Sequence, residues 1–173
     1  MSLKKAKGNM YNWVSHMHSH LAGECSHKCV YCYVQKNRFG VSPKYQGKTR
    51  LGKNEFNINY KEGRVIFIEH MNDLFSLDVK DEWVHRILKH CREYKNTYVF
   101  QTKNPERAFT FIDSFPEKFM IGTTIETNRF TSVSKAPAPK DRYSGIKKFK
   151  GRADIFITIE PILDLDVYRI VQW

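Results

Sequence analysis

No run of apolar residues in this 173-residue sequence approaches the roughly 18 to 20 needed to cross a bilayer. The N-terminal segment, Met1 to Lys5, lacks the apolar core of a signal peptide. These absences predict a cytoplasmic protein with no membrane partner, in a compartment that keeps thiols reduced. Cysteine is scarce: four residues, three of them clustered and Cys91 alone, which argues against a disulfide framework and for one metal site plus a core thiol. Acid is nearly missing from the first part of the chain. Residues 1–53 carry ten Lys or Arg against the single acid Glu24, whereas residues 54–173 carry nineteen against seventeen. Most of the net charge of +11 therefore belongs to the cysteine-bearing end, and a surplus of that size favours polyanionic partners. There is no internal repeat and no low-complexity tract.

The length suits one sizeable core, so residues 1–173 are expected to form a single domain. From Val14 to Leu21 the chain alternates, with His16, His18 and His20 on one face, the pattern of a strand. Tyr33 to Asn37 predicts a short helix, and residues 36–63 a long basic loop broken by Gly40, Pro43, Gly47 and Gly52. Val65 to Ile68 reads as a strand, and Asp81 to Tyr94 as a helix with Val84, Ile87, Leu88 and Cys91 on its apolar face. Thr97 to Gln101 is a strand by its β-branched and aromatic content. Asn104 and Pro105 then cap and open a helix running to about Ser114. Further strands are predicted at Phe119 to Ile125 and Asp154 to Ile159, with helices at Lys140 to Lys150 and from Asp164 onward. Five strand–helix units imply an α/β fold with a mostly parallel sheet. Ligands bind such folds at the carboxyl ends of the strands. The polar stations there are the cysteine loop, Glu69 to Asp73, Thr102 to Asn104, Glu126 to Asn128, and Glu160.

Cys25, Cys29 and Cys32 are separated by three and then two residues. Three thiolates so close can hold one soft metal centre but leave it one ligand short of four. A zinc reading needs His27 or one of His16, His18 and His20 as the fourth ligand, in a spacing unlike the usual two ligand pairs. An iron–sulfur reading needs a ligand from elsewhere.

A strand running into C-x3-C-x2-C, with Tyr31 immediately before the last cysteine and βα units after it, resembles the radical S-adenosylmethionine (SAM) superfamily. The segment Cys25 to Tyr33 is similar to the subgroup that includes spore photoproduct lyase. Met71 to Phe75, Thr102 to Pro105 and Ile125 to Asn128 are similar to phage- and prophage-associated radical SAM proteins of unsettled function. The resemblance implies a [4Fe–4S] cluster on Cys25, Cys29 and Cys32, with SAM filling the fourth position. It also implies reductive SAM cleavage to a 5′-deoxyadenosyl radical that abstracts a hydrogen atom, and a reducing partner such as flavodoxin or ferredoxin. It implies Tyr31 beside the cluster, Asn72 or Asp73 at the SAM amino group in place of the family's Gly-Gly-Glu, and Lys103 at the SAM carboxylate. Thr124 and Glu126 are implied at the ribose or methionyl group, with Glu160 as a further rim carboxylate. The family's partial barrel has six βα units. This sequence reaches Trp173 in the fifth or sixth, so the expectation is a barrel lacking its last strand, either because the sequence is a fragment or truncated form or because a partner chain supplies the open edge.

Lys36, Arg38, Lys44, Lys48, Arg50 and Lys53, interleaved with Phe39 and Tyr45, are candidate contacts to a nucleic-acid or nucleotide substrate. Lys135 to Arg152 reads as an exposed basic helix. Two other functions stay open: a non-catalytic iron–sulfur nucleic-acid-binding module, and a zinc-stabilised interaction protein.

Overall fold

The computed structural model describes residues 3–8, 10–35, 40–129 and 132–173. In chain order the elements are β1 (Lys4–Lys5), β2 (His16–His18), β3 (Leu21–Ala22), β4 (Arg50–Leu51), β5 (Val65–Ile68), α1 (Asp81–Arg92), β6 (Thr97–Gln101), α2 (Pro105–Phe109), β7 (Phe119–Thr124), α3 (Pro139–Lys147), β8 (Asp154–Thr158) and α4 (Val167–Val171). Six strands form one sheet in the order β1-β2-β5-β6-β7-β8. β2, β5, β6, β7 and β8 run parallel, and β1 lies antiparallel on the outer side of β2. This is the expected α/β fold, a partial parallel β/α barrel. No helix is long and apolar enough to cross a membrane among the described residues.

Strand register assigns the two faces. His16, Ile66 and Tyr98 align on one face, and Met17, Phe67, Val99 and Met120 on the other. The first face carries the main core, where α1 buries Val84, Ile87, Leu88 and Cys91 completely. Burying aliphatic side chains such as these stabilises by about 1.5–3 kcal/mol each. Asp81 and Glu82 in the first turn of α1 and Lys89, His90 and Arg92 in the last complement the helix dipole. The second, concave face is covered by the N-terminal segment: Val14 packs with Phe67 and Val99, and Tyr11 lies against Phe67 and Phe156. Gly122 on β7 is required there, because a Cβ would run into the Phe156 ring.

Four local expectations change. The strand predicted from Val14 to Leu21 is broken, because the Glu69 carboxylate accepts the amides of His20 (2.6 Å) and Leu21 (3.2 Å) and turns the chain out of the sheet. Leu21–Ala22 then pairs with Arg50–Leu51 in a small second sheet. The loop of residues 36–63 consequently contains β4 and single 3-10 turns at Pro43–Tyr45 and Glu55–Asn57. The helix expected from Tyr33 to Asn37 is a turn through Gln35, and its remainder lies outside the described residues. The helix opened by Asn104 and Pro105 shortens to α2 plus a 3-10 turn at Ile112–Ser114.

Candidate metal centre and its rim

The cysteine segment leaves the sheet at the carboxyl end of β2. Gly23 precedes it with φ +88°, and a Cβ there would collide with the Lys48 carbonyl, so only glycine fits the close approach of the two chains. Cys25, Cys29 and Cys32 are half-buried and line one pocket together with Met71. Tyr33 donates to the His70 carbonyl (2.7 Å), tying the segment to the end of β5. Burial, reinforced by the Asp73 charge, pushes the Cys25 thiol up to about 12. Cys29 is also raised by burial, against the opposing influence of Lys103. Without a bound centre these thiols hold their protons, so binding a metal there releases them. Among the described residues no three Cys, His, Asp or Glu side chains converge on a position for a single metal ion. The three cysteines are likewise not gathered on one position, so their arrangement alone favours neither a zinc nor an iron centre.

Asp73 anchors this loop. Its Oδ1 accepts from the Phe75 amide (2.9 Å) and the Thr102 hydroxyl (2.7 Å), and its Oδ2 from His27 Nε2 (2.8 Å) and the Lys103 amide (2.8 Å). A carboxylate offers about four acceptor sites. Burial works against the charge, yet His27 and the other donors hold Asp73 down to about 2. Asn72 donates to the Gly23 carbonyl (3.1 Å) and accepts the Asp73 amide (2.9 Å). Asn72 and Asp73, expected at the SAM amino group, thus spend these bonds on holding the cysteine segment to β5 and β6. His27, the candidate zinc ligand, gives its Nε2 to Asp73.

Tyr31, Lys103 and Glu126 do come together beside Cys29. Lys103 Nζ sits 5.6 Å from the Tyr31 ring centre, and Tyr31 lies against both Cys29 and Glu126. Glu126 is fully buried and paired through Oε2 with Arg142 (2.5 Å). Burial works to raise the Glu126 carboxyl, but the Arg142 guanidinium outweighs it and leaves it lowered. The Tyr31 hydroxyl and Glu126 Oε1 are buried with no hydrogen-bond partner among the described residues. The Tyr31 hydroxyl neighbours both Glu126 and Cys29, so these groups form a buried polar cluster beside the thiol. Arg142 corrects the view of α3 as an exposed basic helix: at 2% exposure it is a core cation.

The rest of the rim is polar on the concave side. Gln101 donates to the hydroxyls of Thr124 and Thr158 (2.9 Å each) and accepts from Tyr11 (3.0 Å). Thr124 is therefore bound into a sheet-spanning network. Glu160 is exposed, and after burial its charge is the main influence raising the Tyr11 hydroxyl.

The histidine row faces the helices, not the concave side. His18 packs on Tyr60, and His20 bonds to Glu69 Oε1, Tyr60 and His90 at 2.9–3.0 Å. Of the basic-loop candidates, Lys44 is committed to Glu55 and the Ser19 carbonyl (2.7 Å each), and Arg50 to the carbonyls of Gln46 and Lys48. Lys48 and Lys53 are exposed, and Lys36 and Arg38 lie outside the described residues. His27, Arg142 and Gln101 carry no distinguishing sequence signal, since each is defined by a partner far along the chain.

Among solved structures, a cysteine-to-serine mutant of spore photoproduct lyase matches with a TM-score of 0.67 at 16% identity, covering 90% of this chain and 48% of that one. The chain spans about half the length of that protein. The likeness is one of fold, and it agrees with the radical SAM type of partial barrel expected from the sequence. No curated protein matches. A family model described as a protein of unknown function, DUF5131, matches residues 10–170. The chain belongs to the DUF5131 family.

Proposed function

We propose that this protein is a radical SAM enzyme, with Cys25, Cys29 and Cys32 holding a [4Fe–4S] cluster and SAM binding across the carboxyl ends of the strands. The observation that carries the reading is the placement of three thiols in one pocket at that rim, with Tyr31 and Glu126 beside Cys29. A cluster of this kind supplies reductive cleavage of SAM and hydrogen-atom abstraction when bound. The chain's own residues supply position and charge. Asp73 and Asn72 fix the loop that presents the thiols, and Lys103 offers the SAM carboxylate a cation. Tyr31 and Glu126 meet the bound group with their hydroxyl and carboxylate oxygen. Glu160 and Thr124, on the concave side of the rim, are assigned to the adenosyl or methionyl part of SAM. The substrate class is a nucleic acid or nucleotide, supported by the charge of +11. A flavodoxin or ferredoxin supplies the electron, and a partner chain covers β8, whose Ile155 and Ile157 are exposed.

Anaerobic reconstitution with iron and sulfide tests the reading. Brown protein that cleaves SAM under reductant supports it. Brown protein inert toward SAM points instead to an iron–sulfur nucleic-acid-binding module, and colourless protein retaining zinc to a zinc-stabilised interaction protein. A Lys103→Ala protein that binds SAM as tightly as wild type removes Lys103 from its role.

A further inference from the structure

At the opposite end of the parallel strands from the cysteine loop, the chain forms an open groove of about 880 Å³. Its walls come from three places: β1 and the residue two beyond it (Lys4, Lys5, Lys7), the first residue of β2 (His16), and the approach to β5 (Lys61, Arg64). The antiparallel pairing of Lys5 with His16 brings the N-terminal lysines to this edge. Among the described residues no carboxylate lines the groove. None of its five Lys or Arg side chains forms an ion pair or a side-chain hydrogen bond among the described residues, whereas Lys44 and Arg50 of the basic loop are satisfied internally. Five cations, four of them exposed, surround a single cleft without an ion-pair partner among the described residues, which leaves their charge available to an anion. The potential is felt locally: after burial, Arg64 and Lys5 are what hold the His16 imidazole below its ordinary range.

We infer that this groove binds the phosphodiester backbone of a nucleic acid, as a contact surface separate from the cysteine rim. A strand of phosphates enters a concave cleft, while a planar bilayer cannot follow it. Peripheral membrane surfaces also present exposed apolar side chains, and the apolar lining residue here, Leu3, is buried. The contact is to backbone charge and carries no base readout of its own.

The test is fluorescence anisotropy of a labelled oligodeoxynucleotide, single-stranded and then duplex, titrated with the full chain across a salt series. Wild type binds, with affinity falling linearly in log–log form against salt. The triple variant Lys5→Gln, Lys61→Gln, Arg64→Gln lowers the single-strand slope by about 2 and weakens binding by about 100-fold near 0.1 M salt. A Lys48→Gln, Lys53→Gln variant, which tests the loop contacts suggested by the sequence, loses less in slope and affinity than the groove variant. Circular dichroism checks that the variants are folded. Unchanged slope and affinity in the groove variant overturn the inference, as does loss of binding confined to the loop variant. Wild-type binding to phosphatidylserine vesicles without binding to the oligonucleotide also overturns it. Strand binding is read without SAM or reductant, so it fails or succeeds independently of the cluster reading.

Discussion

Asp73→Asn removes one charge and almost no volume, and the structure says where the damage falls. The two oxygens of Asp73 accept four bonds, two of them from the backbone amides of Phe75 and Lys103. The Thr102 hydroxyl can rotate, and His27 can exchange tautomers to accept from an amide. The backbone donors cannot adapt. If the new NH2 replaces Oδ2 it faces the Lys103 amide, and if it replaces Oδ1 it faces the Phe75 amide. Either way one buried N–H is orphaned, at about 1–3 kcal/mol, and the remaining bonds lose the charge that strengthened them. The expected loss is about 3 kcal/mol, read as a lower urea midpoint at unchanged m-value near neutral pH. A second signature is acid dependence. Asp73 titrates near about 2 in the fold and near 3.8 in the unfolded chain, so its contribution is complete above 3.8 and is lost as pH falls through 2. That loss is about 2 kcal/mol in wild type and absent in Asp73→Asn. A variant within about 0.5 kcal/mol of wild type would refute the assignment of Asp73 as the loop's anchor.

Arg142→Met strands a buried carboxylate at Glu126 and is expected to cost about 3–5 kcal/mol in urea unfolding, with much of the loss restored by adding Glu126→Gln. His18 is held down to about 3 by burial, so the unfolded chain takes up its proton first as pH falls below 6.5. Its contribution is full above 6.5 and shrinks toward 3. His18→Gln should therefore reduce the stability difference between pH 7 and pH 5 by about 2 kcal/mol. Glu69, raised to about 7 by burial, works in the opposite sense: it favours the fold below 4.5 and loses that advantage as pH rises through 7. Glu69→Gln should increase the same pH difference. Gly122→Ala drives a methyl into Phe156 and should lower thermal stability by about 1–3 kcal/mol, a loss that Phe156→Leu added in the same chain relieves.

The parallel strands β5 to β8 were legible because each is a short, largely apolar run followed by a helical period, and β2 because its residues alternate, signals that need only neighbours in sequence. The cysteine trio was legible for the same reason. What escaped was set by contacts between distant residues. The break after His18 depends on a carboxylate 49 positions away from His20, and Lys44 is neutralised by Glu55 through a fold that periodicity does not reveal. Asp73 drew attention for its position at a strand end. That four donors from three segments of the chain surround it was visible only in the structure. Arg142 lay in a stretch of seven basic residues and one acid, where composition averages away the one cation that is buried. The N-terminal lysines carried no motif, and only the antiparallel pairing of β1 with β2 gathers them beside Lys61 and Arg64.

The central claim is that the three thiols hold an iron–sulfur cluster with a position left for SAM. The most direct measurement is iron content and the electron paramagnetic resonance of anaerobically reconstituted, reduced protein, with and without SAM. The account predicts about four irons per chain, visible absorption at about 400 nm, loss of both on replacing Cys25, Cys29 or Cys32 by alanine, and a resonance that shifts when SAM is added. A spectrum indifferent to SAM, or a colourless protein that retains zinc, would contradict it.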